Sequence, residues 1–452
     1  MEKEQAKFRI LVFPYLAYSH VYPYFELSKK LSNRNFHIYF CSSAINLESI
    51  KKTLQESPED SSIELVELHV PPSPQLPPDL HSTKNLPPDM TLTLVQAFQM
   101  SSSSFSVIFN NLKPDLVIYD FFQPWVPKLA ASQGIPSVYF ATSGAAPFSY
   151  FHHLYTHGSI STFPFQEIYL LDHEKVDLKA PVKLEIKDAD QDFGFGVFKL
   201  SSEIVLIKGC KGFDGKYMDH LSVLCQKEIV PTGLLVHDSK ENIEENSDIL
   251  QWLSRKERFS TLFICFGSEH FLSKDQIHEI SKGLELCNVN FIWVVKFSVS
   301  VEDKRVTLEE ALPRGFLERV NGRGIVVEGW VPQAKILSNP NTGAFASHCG
   351  WSSVTESLYY SVPVIAMPHR YDQPINARLV VEAGVGVEVV KGQDGLFTGE
   401  EMSKAIGIVF AERSGEEMRI KARKLSEKIK EEEEQEVDEV AKKILRLCLK
   451  NK

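Results

Sequence analysis

Trp330–Gln373 reads WVPQAKILSNPNTGAFASHCGWSSVTESLYYSVPVIAMPHRYDQ. Within it the apolar run Gly343-Ala344-Phe345-Ala346 predicts a buried strand bounded by turn residues. The small and polar residues His348-Cys349-Gly350-Trp351-Ser352-Ser353 then open a predicted helix, Val354 to Tyr360. A second apolar run, Val362 to Met367, closes on Pro368 and the polar tip Asp372-Gln373. Strand, polar turn, helix, strand is half of a nucleotide-binding α/β unit, whose ligand belongs at the turn.

The residue types at that turn suit a phosphorylated ligand. A helix N-terminus carries about half a positive charge and several unpaired N–H groups. Gly350 lets the backbone approach closely, and Ser352 and Ser353 add hydroxyl donors without bulk. His348 can donate to a phosphate oxygen. Trp330 offers a flat face for a base, worth about 1–3 kcal/mol by analogy with nucleic-acid readers. Glu356 and Asp372-Gln373 are acceptors of the kind that grip hydroxyls. A stacking plate, a phosphate cradle and hydroxyl binders together match a nucleotide sugar better than a bare nucleotide. Ser353-x-x-Glu356 also fits a capping box, in which Glu356 turns to a backbone N–H instead.

The rest of the chain alternates strands and helices. Buried strands are predicted at Phe8–Pro14, Phe36–Cys41, Ile63–Val70, Asp115–Tyr119 and Pro136–Phe140, with helices at Tyr22–Leu31, Met90–Leu112 and Trp125–Gln133. PPSPQLPPDLHSTKNLPPD is too proline-dense for regular structure. Further strands follow at Ile204–Gly209 and Lys227–Thr232, and the polar HDSKENIEENSD reads as a linker. The second half repeats the pattern, with strands at Thr261–Phe266, Phe291–Val295 and Gly324–Glu328 before Trp330. The expected fold class is α/β, two facing Rossmann-like doubly wound domains with an inter-domain cleft. Residues 1–235 would form the first domain, 236–250 the linker and 251–430 the second. The charged helix up to Leu449 bears an apolar stripe (Val440, Ile444, Leu447), and residues 431–452 are expected to pack back on the first domain.

Composition narrows the function. The chain has 452 residues, 43% hydrophobic and 24% charged, enough for two domains. A net charge of −10 argues against non-specific nucleic-acid binding. The seven cysteines (Cys41, Cys210, Cys225, Cys265, Cys287, Cys349, Cys448) have no paired spacing and read as reduced thiols. MEKEQAKFRI lacks the apolar core of a signal peptide, and no run approaches the ~20 apolar residues of a membrane span. The expectation is a cytoplasmic monomer without a membrane span or a nucleic-acid partner.

Each half also offers chemistry at strand ends. His20 follows the first strand and Asp120 the strand at 115–119. A neutral imidazole is a fitting base for a hydroxyl that must lose its proton. Asp120 can accept from the other ring nitrogen and stabilise the imidazolium. The plainer alternatives are a loop histidine and an aspartate capping the next helix.

Residues 330–373 resemble the signature box of the plant secondary-product UDP-sugar-dependent glycosyltransferases. The resemblance rests on the opening Trp-x-Pro-Gln, the His-Cys-Gly-Trp core, the glutamate and the closing Asp-Gln, and extends over almost the whole chain. It implies a two-domain fold of the GT-B type. The first domain would bind the acceptor and the second a UDP-sugar as co-substrate, with no metal and no further cofactor. It further implies that Trp330 stacks on uracil, with Val331 beside it, and that Gln333 bonds the nucleoside. His348, Gly350, Ser352 and Ser353 hold the diphosphate, and Glu356 the ribose. Trp351, Asp372 and Gln373 address the sugar, and His20 and Asp120 form the catalytic dyad of an inverting displacement. Gly267-Ser268 resembles the family's second diphosphate loop. Two positions depart from the family pattern, Ser352 for the usual Asn and Ser19 for the usual Gly. FGSEHFLS with HCGWSS most resembles the branch-forming group, which adds a sugar to a flavonoid or terpenoid glycoside. Gln373 favours UDP-glucose, and Arg370 keeps UDP-glucuronate open, as UDP-xylose stays open.

Two other classes remain at this point: a nicotinamide-dependent oxidoreductase, for which no glycine-rich fingerprint follows a strand, and a non-catalytic binding protein. His152, His153 and His157 lack a zinc-protease pattern, and Asp192-Phe193-Gly194 lacks the other kinase motifs.

Overall fold

Runs such as LVIY at 116–119 are apolar without alternation because both faces are covered: all four residues are buried. That is the pattern of a parallel sheet flanked by helices. A computed structural model describes residues 7–55, 62–71, 73, 75–84, 86–175, 192–237, 247–267, 270–296, 307–411 and 413–450. By its internal contacts the chain divides into two compact units. Residues 1–164, 182–237 and 429–452 form the first, and residues 165–181 and 238–428 the second. Residues 165–175, which the sequence reading runs together with residues 1–235, fall within the second unit. Most of the expected linker, residues 238–246, lies outside the described residues.

The first unit is built on seven parallel strands: β1 (Phe8–Phe13), β2 (Phe36–Ser42), β3 (Ile63–Glu67), β4 (Leu116–Tyr119), β5 (Ser137–Ala141), β6 (Ile204–Ile207) and β7 (Glu228–Pro231). Their spatial order is β3-β2-β1-β4-β5-β6-β7. The chain therefore winds one way from β1 to β3 and the other way from β4 onward, leaving a crevice between the ends of β1 and β4. Register pairs Ile10 with Leu116 and Phe13 with Tyr119, so the two strands end level. Val440, Ile444 and Leu447 of the long terminal helix (Arg413–Lys450) are buried in this unit's core beside Ile10, Phe25 and Phe36. Arg34 holds the same helix through Glu434 and Asp438, each at 2.7 Å.

Two local expectations change. The helix after β1 begins at Tyr18 rather than Tyr22 and runs to Ser32. Pro23, which suits the first turn of a helix, sits in the second turn instead, so His20 is helical rather than in a loop. Between residues 90 and 112 two helices stand in place of one, Thr91–Met100 and Ser102–Leu112. The turn falls on Ser101, whose hydroxyl bonds back to the Ala97 carbonyl at 3.0 Å, as serines in helices do.

The second unit has six parallel strands: β8 (Thr261–Cys265), β9 (Asn290–Val295), β10 (Gly324–Glu328), β11 (Thr342–Ser347), β12 (Val364–Ala366) and β13 (Gly386–Glu388). They lie in the order β10-β9-β8-β11-β12-β13, with Ser347 level with Cys265. The switch point here falls between β8 and β11. Among the described residues no helix is long and apolar enough to cross a membrane.

The segment before residue 176 is tied into this unit by charge. Both Glu174 carboxylate oxygens lie 3.0 Å from the Arg378 guanidinium, and Lys391 stands at 3.5 Å. All three side chains are at most 5% exposed. Removing one member of a buried pair strands the other charge and costs about 3–5 kcal/mol. Glu174→Ala is therefore expected to lower the unfolding free energy of the second unit by that order, read by urea denaturation. A change within a few tenths of a kcal/mol would contradict this role.

Candidate active site

The first half of the site stands at the β1/β4 switch point. His20 lies in the first turn of the helix after β1, and Asp120 directly follows β4. Their contact is His20 Nδ1 to Asp120 Oδ2, 2.9 Å. Asp120 is 1% exposed, and backbone donors hold its carboxylate in place: Tyr15 N–H to Oδ2 at 2.9 Å and Phe121 N–H to Oδ1 at 2.6 Å. The following helix starts at Trp125 with Pro124 before it, so Asp120 does not cap it. Ser19 is helical and is not among the described residues with left-handed φ, so glycine's freedom is not required there.

Sequence reasoning did not single out three residues that complete this arrangement. Thr142 Oγ1 stands 3.3 Å from the same His20 nitrogen, and Gln123 Oε1 accepts the Asp120 N–H at 3.0 Å. Tyr24, one turn beyond His20, places its hydroxyl 2.6 and 2.8 Å from the carbonyls of Tyr119 and Phe140. It thereby pins the helix to the ends of β4 and β5 and sets His20 over Asp120. The signal for Tyr24 was its i,i+4 spacing from His20 on an otherwise apolar face. The partly exposed Phe122 ring lies 6.2 Å from His20, and Tyr15 packs edge-on at 5.7 Å.

The second half stands at the β8/β11 switch point. The helix after β11 runs Trp351–Tyr359, begun by Gly350 with no side-chain cap. A helix start of this kind presents N–H groups and the positive end of the helix dipole, which suit an anion. The His348 ring fills the space between two glycines. A Cβ on Gly267 would come within 2.8 Å of it, and one on Gly350 within 2.4 Å. Burial, with His270 and Arg370 nearby, pushes the His348 pKa down to about 3. At neutral pH it is therefore an uncharged donor. Ser352 is half-buried and Ser353 buried, both in the first turn. Ser268, expected in the second phosphate loop, lies outside the described residues.

The remaining residues of the box divide by burial. Trp330 is 42% exposed at the end of β10, its face open. Val331 is in the core, so only its backbone is available to a ligand. Trp351 is likewise buried, at the first position of the helix. Gln333 Nε2 donates to Glu356 Oε2 at 2.9 Å, which brings together the two residues expected at the nucleoside. Glu356 thus faces away from the capping-box arrangement, because Ser353 is inside the helix rather than at its start. Gln373 Oε1 accepts the N–H groups of His369 and Arg370, both at 3.0 Å, which leaves its amide N–H groups to point elsewhere. Asn376 was missed: its Nδ2 bonds the Cys349 carbonyl at 3.0 Å and Asp372 Oδ2 at 3.1 Å, joining the two ends of the box. Asp192, of the decoy triplet, pairs with Lys128 and Lys199 at 2.9 and 3.1 Å.

A histidine held by a buried carboxylate and a helix start framed by glycines, each at a switch point of a doubly wound sheet, are features suited to a group-transfer enzyme with a nucleotide donor. Comparison with known proteins gives the family. A profile described as UDP-glucoronosyl and UDP-glucosyl transferase matches residues 264–428. A mogroside IIIx synthase of Siraitia grosvenorii is 46% identical over 95% of this chain and 96% of its own length. A beta-D-glucosyl crocetin beta-1,6-glucosyltransferase of Gardenia jasminoides is 43% identical over 96% and 98%. The crystal structure of Glycyrrhiza uralensis UGT73P12 complexed with glycyrrhetinic acid 3-O-monoglucuronide shares the fold, with a TM-score of 0.83 at 21% identity over 98% and 97%. The chain belongs to the UDP-glycosyltransferase family, and its two Rossmann-like units are of the GT-B type. It is an enzyme that transfers sugar from a UDP-sugar.

Two substitutions test this geometry. Gly350→Ala would drive a methyl group into the His348 ring and is expected to weaken UDP binding at least tenfold, on the order of 1.4 kcal/mol, by calorimetry. Tyr24→Phe removes one hydroxyl and is expected to cost about 0.5–1.5 kcal/mol of stability and to lower kcat without changing UDP affinity. Unchanged kcat would separate Tyr24 from the placement of His20.

Proposed function

We propose that this enzyme transfers a sugar, glucose in the first instance, with inversion to a hydroxyl on the sugar of a flavonoid or terpenoid glycoside. The observation that carries the reading is the His20–Asp120 contact at the β1/β4 switch point. Support for a glycoside acceptor comes from the relatives, whose names describe enzymes that build mogrosides and extend a glucosyl crocetin. The partly exposed rings of Phe121, Phe122 and Phe193, near His20, suit an apolar aglycone.

In the proposed reaction His20 donates from Nδ1 to Asp120 and carries its lone pair on Nε2. That nitrogen takes the proton of the acceptor hydroxyl, while Asp120 stabilises the imidazolium. The acceptor oxygen attacks the anomeric carbon, and the bond from that carbon to the β-phosphate oxygen breaks on the opposite face. The electron pair leaves with UDP, and the anomeric centre inverts. The helix N-terminus at Gly350, the hydroxyls of Ser352 and Ser353, and His348 receive the developing negative charge, so the proposed displacement is metal-independent. Trp330 stacks on uracil, with the Val331 backbone beside it, while Gln333 and Glu356 take the nucleoside. Trp351, Asp372 and Gln373 address the sugar, and Ser268 joins the phosphate contacts. The seven cysteines are free, which suits a reducing cytoplasm, and the working state is taken to be a monomer.

Replacing His20 by Ala is expected to lower kcat by about 10²–10⁴-fold with UDP affinity retained. Asp120→Asn should also lower kcat, through the wrong tautomer. Wild-type turnover in His20→Ala would remove the proposed base. The substrate reading is settled by assaying UDP-glucose, UDP-xylose and UDP-glucuronate against aglycones and their monoglucosides. Reaction with aglycones only would overturn the glycoside-extending assignment.

A further inference from the structure

Two histidines beside the phosphate cradle have no part in the reaction as described. His270 lies beyond β8 and His369 beyond β12, and their rings stack with centroids 3.9 Å apart at 19°. Phe266 and Phe397 pack edge-on against His369 at 5.4 and 5.7 Å. His270 Nε2, His369 Nε2 and His348 Nδ1 are all buried with no hydrogen-bond partner among the described residues. Native proteins pair the great majority of such atoms, and a cluster of exceptions calls for a ligand or a proton.

Among the described residues, two cations and a carboxylate lie near the trio. Arg370 adjoins His369, and Lys391 is the second cation near it. Lys391 is itself paired with Glu174 at 3.5 Å. On the side of the helix Lys274–Leu286, Glu279 borders the same recess as His369, and its carboxylate accepts the Gly399 N–H at 2.7 Å. No carboxylate among these pairs with an imidazole of the trio. Among the described residues the site therefore sets uncharged imidazoles beside cations.

On the reading that residues 348–353 hold the donor diphosphate, we propose that His270 and His369 are further donor-binding residues, a stacked pair that with His348 takes up a proton as the diphosphate enters. Burial, followed by the neighbouring cations, holds His270 down to about 4 and His369 well below its ordinary value, so the pair starts neutral. Two phosphate charges favour the protonated form and move its titration upward by roughly 1–3 pH units. Because the bound site holds its proton more tightly than the free site, donor affinity rises as pH falls from about 8 toward 5 and levels off below the free-site value. The proton comes from solvent and stays at the site until UDP leaves.

The test is calorimetry of the full chain with UDP-glucose, whose diphosphate diester does not titrate between about pH 5 and 8, in buffers of differing ionisation enthalpy. Wild type should take up a measurable fraction of a proton near pH 6 and less near pH 8. His270→Phe/His369→Phe keeps both rings but cannot take a proton. It should lose more than half of that uptake and bind about three- to tenfold more weakly near pH 6, with little change near pH 8. Should the double variant fail to fold, His270→Gln alone gives the same reading. If UDP binds but UDP-glucose does not, the comparison is made with UDP, whose own ionisation cancels between wild type and variant. No uptake in wild type, or equal uptake in the variant, overturns the proposal while leaving the donor site intact. Failure of both UDP-glucose and UDP to bind removes the donor reading itself.

Discussion

A parallel sheet that winds outward in both directions from two central strands leaves a crevice where the winding reverses, and nothing in the sheet fills it. In the first unit the His20–Asp120 hydrogen bond closes that crevice, 2.9 Å between elements a hundred residues apart. Its geometry depends on β1 and β4 ending level and on Tyr24 pinning the intervening helix to the carbonyls at the ends of β4 and β5. Asp120 is fixed by two backbone donors, so its own orientation does not depend on the histidine. A carboxylate held this way faces one ring nitrogen of the histidine and directs one tautomer.

The second unit meets the same topological constraint with the opposite electrostatics. Among the described residues no carboxylate is paired with an imidazole in its crevice. A helix N-terminus without a side-chain cap, three uncharged histidines each with a buried ring nitrogen, and an arginine gather there, and burial is the first cause of each histidine's lowered affinity for protons. A site of this kind stores unsatisfied hydrogen-bonding capacity that an anion can use. Gly267 and Gly350 make the arrangement sterically possible, since a methyl group at either would displace the His348 ring.

Much of this was legible in the chain, and unevenly so. Most strands were read to within one or two residues at each end, because a parallel strand buried on both faces is an unbroken apolar run; Gly324–Glu328 has the expected limits, while the run Ile63–Val70 extends three residues past the strand Ile63–Glu67. Helix starts were read less well. The helix read from Tyr22 starts four residues earlier in the structure, and the serines after Met100 hid a break. Gln333 and Glu356 were named for their chemistry, yet their mutual hydrogen bond depends on a contact across 23 residues. Thr142, Gln123, Asn376 and the His270–His369 stack carried no local signal, since each acts through a partner on another element.

Local sequence by itself determined the alternation of strands and helices, the parallel sheets and the chemical inventory of residues 330–373. Those are set by apolar periodicity and residue type over short windows. Tertiary structure alone decided which ring nitrogen of His20 meets Asp120, which box residues turn to the core, and which histidines share a buried space. The physical reason is that hydrogen bonds and desolvation depend on distances between elements far apart in the chain, and packing sets those distances where spacing does not.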